Sequence, residues 1–389
     1  MNQLDKLINE FCPDGVEYNF LYTVIDYEQP TNYIVNNTKY DNGFETPVLT
    51  AGQSFILGYT NENIGIYKAS KDNPVIIFDD FTTSFHWVEF SFKVKSSAMK
   101  MLKVREDRKD DTNFRYLYHV MKNIHYMPVD HTRQWIEKYS KFKIPLPPLP
   151  VQREIVRILD NFTELTAELT AELTARKKQY EYYRRNLLKC SECVSLVDLG
   201  DIAEFKYGFT DAAKTEGNAK FIRITDILEN GKLNKNENRY IDLTEESKKY
   251  LLSKGDLLVA RTGATYGKTM LFNDSFPSVY ASFLIRIRFK KNTILPEYYW
   301  HFAQSSLYWQ QANKLVSKAG QPQFNANVLR LVKISMPSID FQRRIVDVLD
   351  RFDALCNDIT IGLPAEIEAR QKQYEYYRDK LLTFKEKQV

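Results

Sequence analysis

Several residue types are scarce in this 389-residue sequence, and each scarcity removes a class of protein. Four cysteines are too few for a disulfide scaffold. Fourteen glycines are few for a chain that wraps a cofactor in backbone loops. No apolar run approaches the roughly 20 residues of a membrane span. The N-terminal string MNQLDKLINEF carries charge where a signal peptide needs an apolar stretch, so a cytoplasmic chain with reduced thiols is expected. Charge of one sign is also lacking. The 54 basic and 50 acidic side chains leave +4, too mild by itself to announce nucleic acid. What is present is core-forming material, with 43% hydrophobic and 14% aromatic residues, in a chain long enough for two or three domains at roughly 150 residues each.

Charge is unevenly distributed. Residues 1–150 hold 17 basic and 19 acidic groups, 151–190 hold 8 and 6, and 191–336 hold 20 and 15. Each large block contains a local basic run. Lys93–Lys109 has seven basic against two acidic groups, and Arg261–Lys291 has six against one.

A repeat sets the architecture. Gln152–Phe162 (QREIVRILDNF) matches Gln342–Phe352 (QRRIVDVLDRF) at seven of eleven positions, offset by 190. Arg176–Arg184 (RKKQYEYYR) matches Arg370–Arg378 (RQKQYEYYR) at eight of nine, offset by 194. Apolar residues recur at spacings of three and four in both copies: Ile155, Leu159, Phe162, Leu165, Leu169, Leu173, and Ile345, Leu349, Phe352, Leu355, Ile359. This spacing predicts two long helices, each starting after a proline stop (Ile144–Pro150 and Pro337). At about 1.5 Å per residue the first, from Val151 to Lys189, would run roughly 58 Å. One apolar stripe needs a partner, so the copies are expected to pack antiparallel as a coiled-coil-like spacer, the second interrupted at Gly362-Leu363-Pro364. Two unrelated surface helices would explain the period but not the matched strings. Thr163–Ala175 is a tandem of TAEL units that puts Leu165, Leu169 and Leu173 on one face. Slippage alone would also produce such a string.

The blocks between these helices read as mixed structure with a β emphasis. TPVLTAG, NPVIIF, WVEFSFKVK, KFIRITDI, DLLVAR and FLIRIRFK are strand-type runs, and Pro296–Lys318 is helical. Each block ends in a short polar segment, Lys-Ile-x-x-Pro and then the repeat. The segment His131–Trp135 thus stands where Gln321–Asn325 stands in the second block. The expected fold is α+β: two globular α+β domains separated by two long antiparallel helices, with a pseudo-twofold internal repeat. The division is 1–150 first globular domain, 151–190 central helix with the TAEL units, 191–336 second globular domain, and 337–389 C-terminal helix. Asp5–Ile8 echoes Asp379–Leu382, so the N-terminus is expected to complete the second helical unit.

With these elements assembled, the sequence resembles the specificity subunit of a type I restriction-modification system. The resemblance spans nearly the whole chain. It rests on PLPPLPVQREIV, on QYEYYR, on their repetition around two divergent blocks, and on the TAEL tandem; GDLLVARTGATYGKT (Gly255–Thr269) also looks like a recognition block of that family. The resemblance implies a subunit that reads a bipartite sequence in double-stranded DNA, one half-site per domain, and docks two methyltransferase subunits. Those partners would carry S-adenosylmethionine, and a separate restriction and translocase subunit would use ATP and Mg. No cofactor and no membrane association is expected for this chain.

Gly263–Thr269 resembles a phosphate-binding loop, but the spacing is one residue short, with Thr262 where a glycine is required. A strand-to-strand loop offering Arg261, Thr262, Thr265, Tyr266 and Lys268 to DNA fits better, lysine for phosphate and arginine for guanine edges. An ordinary solvated hairpin remains the alternative. Gln321, Gln323 and Asn325 supply amides suited to adenine. In the first block the DNA-contact candidates are Thr50, Gln53, Ser54, Tyr59, Lys100, Lys103, Arg105 and Arg133. Tyr180, Tyr183 and Arg184, with Tyr374, Tyr377 and Arg378, are the candidates for partner binding, since Tyr and Arg are enriched at interface hot spots. Cys190-x-x-Cys193 has zinc half-site spacing but no second pair, and His119, His125 and His131 sit six apart, which fits no compact metal site. No Asn/Asp-Pro-Pro-Tyr/Phe string of a methyltransferase occurs. A non-catalytic DNA-reading subunit is therefore expected, the alternative being an enzyme with fused methylase or nuclease activity.

Overall fold

A computed structural model describes residues 3–52, 54–189, 195–234, 236–317 and 322–388. The chain folds as two compact units, Met1–Ala167 together with Ala369–Val389, and Glu168–Glu368. Each unit thus takes a part of both repeat copies.

The units share one topology. In the first, Tyr18–Phe20 pairs antiparallel with Lys143–Pro145. A four-stranded antiparallel sheet has the order Ile25–Glu28, Met99–Val104, Val75–Asp79, Phe85–Val88. A three-stranded sheet has the order Ile56–Thr60, Thr46–Leu49, Lys93–Val94, with its last pair parallel. The second unit repeats all of this. Leu196–Asp198 pairs with Lys333–Ser335. Its four-stranded sheet runs Ala203–Tyr207, Leu284–Phe289, Leu257–Ala260, Thr269–Leu271. Its three-stranded sheet runs Tyr240–Ile241, Ala219–Ile222, Ser278–Tyr280, again with a parallel last pair.

The strand period explains the layering. Ile76 and Phe78 face the helices, while Val75 and Ile77 join a separate cluster on the other face. In the second unit Leu257 and Val259 face the helices, and Leu258 and Ala260 the opposite side. Both faces are covered, which is why NPVIIF and DLLVAR read as continuous apolar runs. Each fully buried Val, Leu, Ile or Phe among them contributes about 1.5–3 kcal/mol.

Three readings of local structure change. WVEFSFKVK is not one strand: Phe85–Val88 and Lys93–Val94 belong to different sheets. Pro296–Lys318 is two helices, Pro296–Ala303 and Ser306–Leu315, because the Ser305 hydroxyl accepts from the Tyr308 N–H and caps a new start. KFIRITDI is a strand only to Ile222, after which Asp226 accepts from the Arg223 N–H and begins a 3-10 turn.

The first repeat copy is one helix, Leu149–Leu188, so Pro150 lies in its first turn, where a missing N–H costs nothing. The second copy is broken as its Gly-Leu-Pro string predicts, into Ile339–Asn357 and Leu363–Leu381. A Cβ on Gly362 would stand 2.4 Å from the Ala354 carbonyl oxygen, so the reversal there admits only glycine. In the first unit Ile155 and Leu159 share a core with Leu382, and Tyr374 and Leu381 pack against it. In the second, Ile345, Leu349 and Cys356 share a core with Tyr180 and Leu188. The front of each copy therefore packs on the back of the other. The N-terminal segment packs with the end of the second repeat copy, within the first unit: Leu4 shares a core with Leu382, and the Val16 N–H donates to the Lys385 carbonyl at 2.8 Å.

Candidate nucleic-acid interface and helical clamp

The loop between Leu257–Ala260 and Thr269–Leu271 begins with Arg261 and contains a 3-10 turn at Gly263–Thr265. A strand follows it, not the helix a phosphate-binding loop requires. Gly267 has φ +78°, and a Cβ there would meet the Trp309 ring at 3.2 Å, so glycine sets the loop's exit. The Tyr308 hydroxyl donates to the Gly267 carbonyl at 2.9 Å.

A second segment docks on this loop. The Phe324 N–H donates to the Arg261 carbonyl at 2.7 Å, the Gly263 N–H to the Pro322 carbonyl at 3.2 Å, and Gln323 Nε2 to Thr262 Oγ1 at 3.3 Å. The structure thus brings Arg261, Thr262 and Gln323 together. Arg261 lies over the rings of Tyr207 (5.1 Å) and Phe283 (5.5 Å), and its Nε is buried without a hydrogen-bond partner. Tyr266 donates its hydroxyl to Asn313 Oδ1 at 2.7 Å, Lys268 is paired with Glu229, and Thr265 is half-buried. Asn325 spends its Oδ1 on the N–H groups of Asn327 and Val328 as a helix cap. Gln321 lies outside the described residues, as do Gln53 and Cys190–Cys193.

In the first unit the same position is held by Asp80. Its N–H donates to the Ala98 carbonyl at 2.8 Å and its carbonyl accepts from the Gln134 N–H at 2.7 Å, as Arg261 bonds to Phe283 and Phe324. Asp80 is fully buried; Oδ1 accepts from the Trp135 N–H at 2.9 Å, and Oδ2 lies 3.3 Å from Lys100 Nζ. Lys100, itself fully buried, therefore cannot reach DNA as expected, because its charge is committed to Asp80 in the core. Arg133 stays exposed, its Nη1 3.9 Å from Asp80 Oδ2. Lys103 donates to Asn73, and Arg105 is paired with Asp26 and Asp107. Lys93 is buried against Glu62. The basic run Lys93–Lys109 is thus largely neutralised within the fold and is no free cationic patch. Ser54 is exposed, and Thr50 and Tyr59 are half-buried in the Thr46–Leu49 and Ile56–Thr60 hairpin.

The repeat helices carry a second, duplicated arrangement. Tyr374 and Asp160 hold the two nitrogens of His119 (Oη···Nδ1 3.2 Å, Nε2···Oδ1 2.8 Å). Tyr180 and Asp350 hold those of His301 at 3.3 and 2.8 Å. Burial holds the His119 pKa below its ordinary value and pushes Tyr374 up to about 12. Burial works against the Asp160 carboxylate, yet the hydrogen bond from His119 and the charge of Arg115 keep it below its usual range. Beside each triad an aromatic pair stacks, Phe162 on Tyr377 at 5.3 Å and Phe352 on Tyr183 at 5.5 Å. A glutamine completes each clamp. Gln152 accepts from the Asn113 N–H and donates to the Pro147 carbonyl; Gln342 does the same for Leu295 and Pro337.

These contacts change the reading of QYEYYR. Tyr180 and Arg184, 3% and 8% exposed, face inward at i and i+4, so they stabilise their own unit. Tyr374 is half-buried, and Arg378 is paired with Asp379. Tyr182 and Tyr376, 65% and 61% exposed, point out with part of Tyr183 and Tyr377. The histidines were missed as partners because they sit at a third offset, 182, outside the matched strings; the signal was the aspartate shared at Asp160 and Asp350. Cys12 and Cys356 are buried free thiols whose pKa burial raises, and among the described residues no cluster of three metal-ligating side chains forms. No helix among them is long and apolar enough to cross a membrane.

Comparison with known proteins agrees with this duplication. A family model described as the type I restriction modification DNA specificity domain matches twice, at residues 24–176 and 192–369. The specificity subunit of the type I restriction enzyme EcoR124I/EcoR124II from Escherichia coli is 41% identical, over 99% of this chain and 97% of its own length. A putative type I specificity subunit from Haemophilus influenzae is 35% identical, over 85% and 86%. The crystal structure of a type I S subunit from M. genitalium has the same fold, with TM-score 0.60 at 12% identity over 95% of this chain and 96% of that one. A chain from a study of assembly of the type I R-M system gives 0.54 at 16% identity, over 95% and 98%. A fold built twice from one topology, matched by this family over both copies, makes the chain a member of the type I restriction-modification specificity subunits, with two DNA-recognition domains.

Proposed function

We propose that this chain reads a bipartite DNA target, one half-site per unit, and performs no chemistry itself. The observation that carries the reading is the complete duplication of the recognition fold, down to paired backbone bonds at Asp80 and Arg261, with different side chains at those places. One scaffold with two reading heads suits a target of two unlike halves. The E. coli and H. influenzae relatives are specificity subunits by name. The repeat helices then dock two methyltransferase subunits, with Tyr182, Tyr183, Tyr376 and Tyr377 on the outward face. Those partners supply S-adenosylmethionine, and a restriction and translocase subunit supplies ATP- and Mg-dependent work, in the cytoplasm.

The test is a block exchange. Replacing residues 191–336 with the same block of a relative, in cells carrying the methyltransferase partner, is expected to change one half of the methylation motif and leave the other. Simultaneous change of both halves, or methyl transfer by the isolated chain, refutes the reading.

A further inference from the structure

We infer that Arg133 and Arg261 are equivalent guanine readers, each placing a guanidinium at the end of the same strand in its own unit. The inference rests on the DNA-reading function above and deepens it by naming the base.

The equivalence comes from backbone geometry. Asp80 follows Val75–Asp79 as Arg261 follows Leu257–Ala260, and each makes the same two backbone bonds, one to the neighbouring strand's approach and one to the returning polar segment. Gln134 corresponds to Phe324, and the residue before it, Arg133, to Gln323. At this paired place the first unit has an acid on the strand and an arginine on the return, whereas the second has an arginine on the strand and an amide on the return. Each unit therefore offers one guanidinium from opposite sides of the same backbone junction.

Arg261 is held for directional work, and Arg133 stands beside a fixed carboxylate. Arg261 rests on two aromatic rings with Nε buried and unpartnered, so its plane is set before any ligand arrives. Arg133 is half-exposed, its Nη1 3.9 Å from Asp80 Oδ2 and beyond hydrogen-bond distance, while Asp80 itself is fixed by Lys100 and the Trp135 N–H. A planar fork oriented in this way matches the adjacent O6 and N7 acceptors of guanine. A phosphate oxygen offers a bidentate acceptor too, but places no demand on orientation relative to the base stack. Lysine also serves phosphate well, so a stacked or buttressed arginine favours the base edge.

The experiment uses the assembled complex with its methyltransferase subunits. Methylome sequencing of cells carrying Arg133→Lys and, separately, Arg261→Lys is expected to show one guanine position relaxing by roughly tenfold or more in one half-site, a different half-site for each variant, with the other half intact. Lysine keeps the charge and loses the fork. An unchanged motif overturns the inference while the DNA-reading function stands. Even weakening at every site with guanine still required assigns the arginine to phosphate and also overturns it. A wild-type complex with no sequence-specific methylation removes the underlying reading and this inference with it. Should a variant methylate nothing, competition binding by the wild-type complex decides, using duplexes with 7-deazaguanine at each half-site guanine in turn. Loss of affinity at one guanine per half-site supports the inference, and indifference at all of them, or a half-site without a G·C pair, overturns it.

Discussion

Replacing Gln342 with alanine isolates the clamp between a recognition domain and the repeat helix. The side chain is fully buried; Oε1 accepts from the Leu295 N–H at 2.8 Å, and Nε2 donates to the Pro337 carbonyl at 2.8 Å. Leu295 is the N-cap residue of Pro296–Ala303, so its N–H has no helical carbonyl to turn to. Truncation strands one donor and one acceptor, each at about 1–3 kcal/mol, for a total of roughly 2–6 kcal/mol. In a unit of this size that lowers Tm by about 2–4 °C per kcal/mol, or roughly 4–24 °C. Gln152→Ala should cost as much, because Gln152 holds the Asn113 N–H and the Pro147 and Asp111 carbonyls in the same way. Gln342→Glu gives a sharper test. The new carboxylate can still accept from Leu295 but faces the Pro337 carbonyl without a proton to donate. Its folded-state pKa is therefore raised, so the variant is most stable below the ordinary carboxyl range and loses stability as pH rises through the raised value. Calorimetry across pH 4–8, a window of roughly the carboxyl and histidine ranges, checks both points. Alanine variants within about 0.5 kcal/mol of the wild type would show that the duplicated glutamines carry no structural load.

Adding one TAEL unit between Thr166 and Leu173 should change the unread spacer of the methylation motif and leave both half-sites intact. Four residues lengthen the helix by ~6 Å and turn it only roughly 40° beyond a full turn, whereas five turn it by roughly 140° and should disturb packing; methylome sequencing with the five-residue insertion as control distinguishes them. The buried neutral His119 should make the first unit lose stability as pH falls below about 6.5, the unfolded chain taking up a proton that the folded one refuses, by at most about 1.4 kcal/mol per pH unit. Its field includes Asp160, Arg115, Lys122 and Tyr374, and His119→Gln should flatten that limb in urea titrations at pH 5–7. Tyr182→Ala and Tyr376→Ala should leave Tm unchanged yet weaken binding of the methyltransferase subunit by about 1 kcal/mol or more in calorimetric titration, whereas Tyr180→Ala should lower Tm.

The repeat helices, the break at Gly362 and most strands were legible because each obeys a local rule: a period of three to four, a Gly-Leu-Pro interruption, or an apolar run between turn residues. The equivalence of His131–Trp135 with Gln321–Asn325 was legible too, from distance to the next proline stop, and the backbone bonds at Gln134 and Phe324 follow it. Pairings that need three dimensions were hidden. Nothing local says that Lys100 lies against Asp80 twenty residues away, so a charge count misread a neutralised run as a cationic surface. The inward face of QYEYYR was misassigned for a related reason. A tyrosine is suited equally to a hot spot and to a buried hydrogen bond, and only the position of His301 decides for Tyr180.

Closing the first unit with Ala369–Val389 imposes an order on biosynthesis. Tyr18 donates to the Phe384 carbonyl across 366 residues of chain, and Val16 is bonded to Lys385. A ribosome emitting this chain has already delivered the whole of Glu168–Glu368 before the segment that seals the first unit exists. The later-made unit can therefore close first, while the earlier one waits with Leu4, Ile155 and Leu159 short of their final cover. A nascent chain stalled before Ala369 would expose that seam, and the segment Ala369–Val389 becomes a checkpoint that a chain cut ahead of it does not pass.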